Sequence, residues 1–319
     1  MTHVTVLIVN YKVADLVLDN LPNLTAEKQG VDALDIVIVE NGSPGDDARI
    51  LREGIEAQGA GERCTLIVSE TNGGFASGNN IGFRAIAERE AQPDHVVLVN
   101  PDTRFYDGTL RALVDTAEAH PKAGGLGGRA LAEDGTPRGC AYTFPTFARE
   151  ASRLPLLYNL FPEHVRNVNV QVDDTNPTPC DWVSGSCFLI TRAARDAVPL
   201  FDDDYFLYFE ETDYCRRLKE AGFEILHVPN ARYVHIKGVS TGIKDAQAEV
   251  GPLPDYWYNS WRRYFVKNHG RGYAIVTGLT KILALWLNRV RGRPPAPGTA
   301  TEAGLMRLCV MPTIKGTKL

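Results

Sequence analysis

The stretch VTVLIVNYKVADLVLDNLPNLTAEKQGVDALDIVIVEN, residues 4–41, sets the architecture. Residues 4–10 are a Val/Leu/Ile run with no polar alternation, which reads as a strand buried on both faces. Residues 13–24 carry apolar side chains at helical spacing, and 35–40 repeat the buried-strand pattern. The alternation continues with strands expected at 65–69 and 95–100 and helices at 46–58, 79–90 and 110–120. This predicts an α/β fold with a parallel sheet covered on both faces and right-handed crossovers. Ligand loops then gather at the carboxyl ends of the strands. Those ends carry Asn10-Tyr11, Glu40-Asn41-Gly42-Ser43, Asn72-Gly73-Gly74-Phe75 and Asn100-Pro101-Asp102.

Beyond Gly124 the pattern changes. Strands expected at 165–172, 182–190, 224–228 and 232–236 suggest mixed or antiparallel pairing in the second half of one domain. Residues 237–255, rich in Gly, Lys and Pro, read as a mobile loop and a plausible lid. A basic-aromatic helix at 256–269 precedes an apolar segment at 274–287 that contains Lys281. That segment falls short of the roughly 20 residues that span a bilayer. The Pro- and Gly-bearing tail from Arg291 is expected to be poorly ordered.

With 319 residues, 44% hydrophobic and 23% charged, the composition is that of an ordinary globular protein. A formal charge of −5 argues against a nucleic-acid partner. The six cysteines show neither CxxC nor zinc-ligand spacing, which suggests a reducing compartment. The N-terminus shows no basic region or cleavage site, so cytoplasmic placement is expected.

Five features carry candidate chemistry. In FDDDYFLYFEETDYCRRL, residues 201–218, an aromatic run at 205–209 reads as a buried strand that stops at Glu210, Glu211 and Asp213. Carboxylates at a strand-to-helix junction can serve catalysis or simply complement the helix dipole, and the residues alone leave this even. NGGFASGNNIG, residues 72–82, lets backbone approach a ligand at a helix N-terminus, or is a tight turn. VVLVNPDT, residues 96–103, puts Asp102 at a strand tip, as a metal ligand or a turn cap. His235 closes the last strand as a metal ligand, a phosphate partner or a structural histidine. Trp182, in WVSGSC, suits stacking on a sugar or an ordinary core position.

Taken together, VTVLIVNYK, DIVIVENGS, NGGFASGNNIGFR, VVLVNPDT, FLYFEETDYCRRLKEAGF, VHIKGVST and, later, WRRYFVKNHG resemble the inverting family-2 glycosyltransferases of GT-A fold, in their rhamnosyltransferase-like branch. The resemblance implies a Rossmann-like, mixed and mainly parallel sheet flanked by helices. It implies a catalytic domain over 1–245, with a nucleotide-sugar half to about 105 and an acceptor half beyond. Residues 246–319 would be a loop and helical extension.

It further implies that Val9, Asn10 and Tyr11 line the base, and that Glu40 stands where the family's Asp meets base or ribose. Asn72, Gly74, Phe75 and Asn79 shape the donor pocket, with Trp182 and Glu210 beside it. Asp102 matches the last Asp of the family's metal motif, whose first position is Asn100 here. With His235 it would hold Mg²⁺ or Mn²⁺. Glu211 takes the place of the catalytic base, where the family usually has Asp. Asp213 and Arg217, four apart, are expected to pair structurally.

The implied donor is a dTDP- or UDP-sugar, and the acceptor a glycan or lipid-linked glycan in cell-surface polysaccharide synthesis. A sugar nucleotidyltransferase and a silent nucleotide-sugar-binding module remain as other readings. Residues 256–290 are expected either to touch the inner face of the plasma membrane or to pack on the catalytic domain or a second subunit of a homodimer.

Overall fold

The computed structural model describes residues 2–236, 253–293 and 299–317. The lid expected at 237–255 lies outside the described residues except for its last three positions. The first half alternates as expected: β1 (His3–Asn10), α1 (Ala14–Ala26), β2 (Ala33–Asn41), α2 (Asp47–Ala57), β3 (Cys64–Ser69), α3 (Gly74–Ala87) and β4 (His95–Val99). β1 pairs in parallel with both β2 and β4, and β2 with β3. Strands β1, β2 and β4 are buried along nearly their whole length, because helices cover both faces. The order β3-β2-β1-β4 reverses direction between β1 and β4. This is the switch point where open α/β sheets form a ligand crevice.

The second half extends the same sheet. β5 (Thr103–Phe105), α4 (Thr109–Ala119) and β6 (Ala123–Leu131) are followed by β7 (Ala141–Tyr142), α5 (Phe147–Ser152), α6 (Glu163–Arg166), β8 (Thr178–Cys180), β9 (Trp182–Val183), β10 (Cys187–Thr191) and α7 (Arg192–Ala197). β10 inserts antiparallel between β4 and β6. α8 (Glu210–Glu220) leads to β11 (Glu224–His235), which runs parallel to β6 and then antiparallel to β5. β7 and β9 form a separate two-stranded ribbon. The two strands expected at 224–228 and 232–236 are one, bent where the register with β6 shifts between Val228 and Arg232. That shift brings His235 opposite Thr103 on β5.

The chain departs from expectation in three further places. Residues 165–172 form no strand: they hold the end of α6, an extended stretch and a single bridge from Asn169 to Tyr142. Residues 205–209 form a turn rather than a strand. The tail is not wholly irregular, since residues 302–314 are helical and bury Leu305, Cys309 and Val310.

α9 (Asp255–His269) and α10 (Arg271–Val290) pack on helices beside the sheet. Tyr258, Trp261, Tyr264, Phe265 and Ala274 share a core with Tyr214 and Leu218 of α8. Burying each large side chain contributes about 1.5–3 kcal/mol.

Candidate active site

The aromatic run 205–209 is a turn held in left-handed backbone. Tyr208 and Phe209 have φ of 70° and 69°, a region costly for residues with a Cβ. Its rings reach outward to α9: Phe206 and Tyr208 contact Tyr256, and Phe209 contacts Trp257 and Tyr264. A partner fifty residues downstream thus explains the aromatic composition that imitates a strand. α8 begins immediately after Phe209, which places Glu210 and Glu211 at its first turn.

Both carboxyls are desolvated. Burial pushes Glu211 up to about 7, an effect moderated by the facing Gly185 backbone N–H, and its Oε2 accepts no hydrogen bond. Glu210 is raised further, by burial first and by Glu211's charge second, and its Oε2 is also unpartnered. Neighbouring carboxyls this deeply held cannot both ionise near neutrality. Burial and the neighbouring charge hold Glu210 toward its protonated form, and Glu211, raised to about 7, lies in the range suited to a general base.

The neighbours of Glu211 lead across the sheet edge to the other candidates. A Cβ on Gly185 would lie 3.2 Å from the Phe75 ring. The next residue, Ser186, accepts from the Asn100 N–H at 3.3 Å and bonds Tyr233 through its hydroxyl at 2.8 Å. Asn100 Nδ2 is 3.4 Å from His235 Nε2, which in turn lies 3.3 Å from Asp102 Oδ1. Asp102 is buried, and that oxygen makes no hydrogen bond despite the nearby imidazole. Glu211, Phe75, Asn100, Asp102 and His235 are thereby linked into one edge.

At the glycine turn, Gly74 adopts φ 83°, and a Cβ there would run into the Phe206 carbonyl oxygen. The Phe75 N–H donates to that same oxygen at 2.7 Å. The glycine turn and the loop ahead of Glu211 are consequently in direct contact. Asn72 Oδ1 accepts from the Gly74 N–H at 2.9 Å and from Asn41 Nδ2 at 3.0 Å. Asn79 Nδ2 donates back to the Phe75 carbonyl at 2.8 Å.

Farther along, Asn10 is buried and donates to Asp47 at 3.1 Å, while its own Oδ1 has no partner. Glu40 accepts from the Ser43 N–H at 2.7 Å, and Ser43 accepts from the Lys12 N–H at 2.8 Å. Glu40 therefore ties the β1 and β2 loops together. Val9 and Tyr11, both half-buried, flank Asn10. Trp182 lies on the β7–β9 ribbon instead, stacked on Tyr142 at 4.2 Å with its indole N–H on the Thr143 carbonyl at 3.2 Å. Tyr142 feels the charge of Glu211, so this stack borders the α8 side of the edge.

Asp213 is fully buried and pairs with Arg217 at 3.0 Å, as expected. It also pairs with Lys267 of α9 at 2.8 Å. Lys267 and Arg263 both reach Asp202, at 2.7 and 2.8 Å, on the loop entering the turn. The sequence reading did not single out Tyr142, and it read Arg263 and Lys267 as part of a basic helix rather than as partners of Asp202 and Asp213. WRRYFVKNHG was visible as a motif, but nothing local to it points to Asp213.

Among the described residues no three His, Cys, Asp or Glu side chains cluster as a metal cage. The bare Asp102 Oδ1 and His235 Nε2 fit a hard cation that takes its other ligands from phosphates and water.

Comparison with known proteins bears on the family and the fold. The model of the glycosyltransferase-like family 2 matches residues 2–249, most of the chain. The chain belongs to glycosyltransferase family 2. Among curated relatives, N-acetylglucosaminyl-diphospho-decaprenol L-rhamnosyltransferase of Mycobacterium tuberculosis H37Rv is 34% identical over 151 residues, 47% of this chain and 49% of the relative. Rhamnosyltransferase WbbL of Escherichia coli K12 is 26% identical over 179 residues, 51% and 60% of the two chains. The chain spans about half the length of the first of these relatives. Mannosyltransferase PcManGT from Pyrobaculum calidifontis, solved with GDP-Man and Mn²⁺, shares the fold at a TM-score of 0.58 and 16% identity, covering 99% of this chain and 83% of that one. The expected family-2 fold, with its mixed and mainly parallel sheet, is the one observed.

Proposed function

We propose that this family-2 chain is an inverting glycosyltransferase that moves a sugar from a nucleoside-diphosphate donor to a glycan or lipid-linked acceptor. The observation that carries this reading is Glu211: a carboxyl poised near pH 7 with a bare oxygen, on the same sheet edge as Asp102, His235 and the glycine turn. Rhamnose, from a dTDP donor, is the sugar favoured by the names of the relatives. A UDP donor is the second choice. In this reading the reaction takes place in the cytoplasm.

In this reading Val9, Asn10, Tyr11 and Glu40 bound the nucleotide end, and Asn72, Gly74, Phe75 and Asn79 shape the pocket beyond it. Glu211 takes the acceptor hydroxyl's proton as that oxygen bonds the anomeric carbon from the face opposite the diphosphate. Glu210, neutral, leaves Glu211 the single negative charge of the pair. Trp182 and Tyr142 offer an aromatic platform for an acceptor sugar. Asp102 and His235 would hold Mg²⁺ or Mn²⁺, which when bound offsets charge on the departing diphosphate. The mannosyltransferase of like fold was solved in complex with GDP-Man and Mn²⁺, which supports this reading.

Replacing Glu211 by Gln tests the assignment. Nucleoside-diphosphate release with acceptor present should fall at least about a hundredfold. Calorimetric affinity for the donor should stay near that of the native chain. Equal loss of both would mean that Glu211 builds the donor pocket. Retained turnover would exclude it as the base.

A further inference from the structure

Helix α10 has an outward face without charge. Val276, Leu279, Leu283, Trp286 and Val290 are exposed, the last two at 53 and 67%. Their spacing alternates three and four residues, one stripe down the helix. The opposite face carries Ala274, Thr277, Gly278 and Ala284, all buried against the protein. An outward face in water is normally the charged one, so a stripe of this kind marks an interaction surface.

The apolar surface continues on both sides of α10. Met306, Met311 and Ile314 are exposed on the helical segment 302–314 that packs against it. Leu156 and Leu160, 81 and 75% exposed, lie beyond α5, where Asn288 of α10 donates to the Arg153 carbonyl.

Charge selects the occupant. Residues 271–319 hold eight of the 34 Lys and Arg but only one of the 39 Asp and Glu, in a chain whose formal charge is −5. Arg271, Arg291, Arg293 and Lys315 have no carboxylate partner among the described residues. Two copies meeting through this face would bring like charges together, whereas an anionic surface would be attracted.

We propose that α10, with the 154–160 and 302–314 segments beside it, docks on an anionic lipid bilayer. The apolar stripe enters the boundary between headgroups and acyl chains, where Trp286 is well suited, and the basic residues meet lipid phosphates. The contact is peripheral, because no described helix is long and apolar enough to cross a membrane. It does not depend on the sugar moved or on Glu211.

The full chain should co-sediment with phosphatidylcholine vesicles containing phosphatidylglycerol, and far less with phosphatidylcholine alone. Binding should weaken steeply as salt is raised to about 0.5 M. L279E/L283E and R291E/R293E should each lower partitioning at least about tenfold, with unchanged circular-dichroism melts. The salt series needs no variant, so a misfolded mutant leaves the proposal testable. No sedimentation with anionic vesicles would overturn it. So would partitioning indifferent to salt and to both variants, or a dimer in sedimentation velocity that L279E/L283E dissolves.

Discussion

At the scale of single residues, two buried titrations make opposite demands on pH. Glu211 is raised by burial from the ordinary 4.5 to about 7. If Glu211 is the base proposed above, its ionised form is the active one, so kcat/KM should climb about tenfold per pH unit below 7 and level off above it. The same shift destabilises the fold. Between pH 4.5 and 7 the folded chain holds the proton that the unfolded chain has released, so stability from this group is greatest below 4.5 and is lost as pH rises through 7. Glu211→Gln should therefore raise the melting temperature by a few degrees at pH 8 and leave it unchanged at pH 4, as scanning calorimetry would show. His227 behaves in reverse. It is fully buried on β11 with both ring nitrogens unpartnered, and desolvation lowers it to about 4. The unfolded chain binds its proton first, so stability falls between pH 6.5 and 4 by up to roughly 3 kcal/mol. His227→Leu should flatten that acid limb in urea melts at successive pH values. The sequence showed His227 inside a strand and Glu211 at a helix start. It could not show how deeply either is buried, because the covering groups come from distant segments.

At the scale of elements, the glycine turn and the 205–209 turn act as a pair. Gly74→Ala adds a left-handed residue and drives a Cβ into the Phe206 carbonyl. A loss of roughly 3 kcal/mol is expected in urea melts. Turnover should also fall, since the clash displaces the residues just ahead of Glu211. Loss of stability with kcat intact would show that the two turns are mechanically independent. The glycine motif was legible because it lies within one βα unit, where its spacing means the same in any context. The aromatic turn was not, because composition alone cannot separate a buried strand from a loop whose rings are covered by another helix. The same reasoning applies to β11: its bend is invisible in the apolar pattern, yet it sets His235 beside Asp102.

At the scale of the molecule, the parallel half was readable almost residue by residue, since a sheet buried on both faces demands continuous apolar runs. The C-terminal helices were visible as elements but not as partners. Lys267 is the clearest case: its ammonium meets Asp202 and the fully buried Asp213. Lys267→Met would leave Asp213 with Arg217 as its remaining cation, and about 3 kcal/mol should be lost. Lys267→Arg should recover part of it. Thermal melts in parallel with product assays would show whether the loss reaches Glu211, two residues before Asp213. The expectation is that both measures fall together.

That pairing also orders the birth of the protein. Strands β1 to β4 lie within the first third of the chain, so all their mutual pairing partners are synthesised early. Asp213, in contrast, pairs locally with Arg217 but waits for its second cation, Lys267, 54 residues further along. At typical synthesis rates of roughly 5–20 residues per second this is an interval of seconds. During it, of these two cations, Asp213 has Arg217 alone. The helix start that carries Glu210 and Glu211 is thus braced from α9 only after every described strand of the sheet has been synthesised.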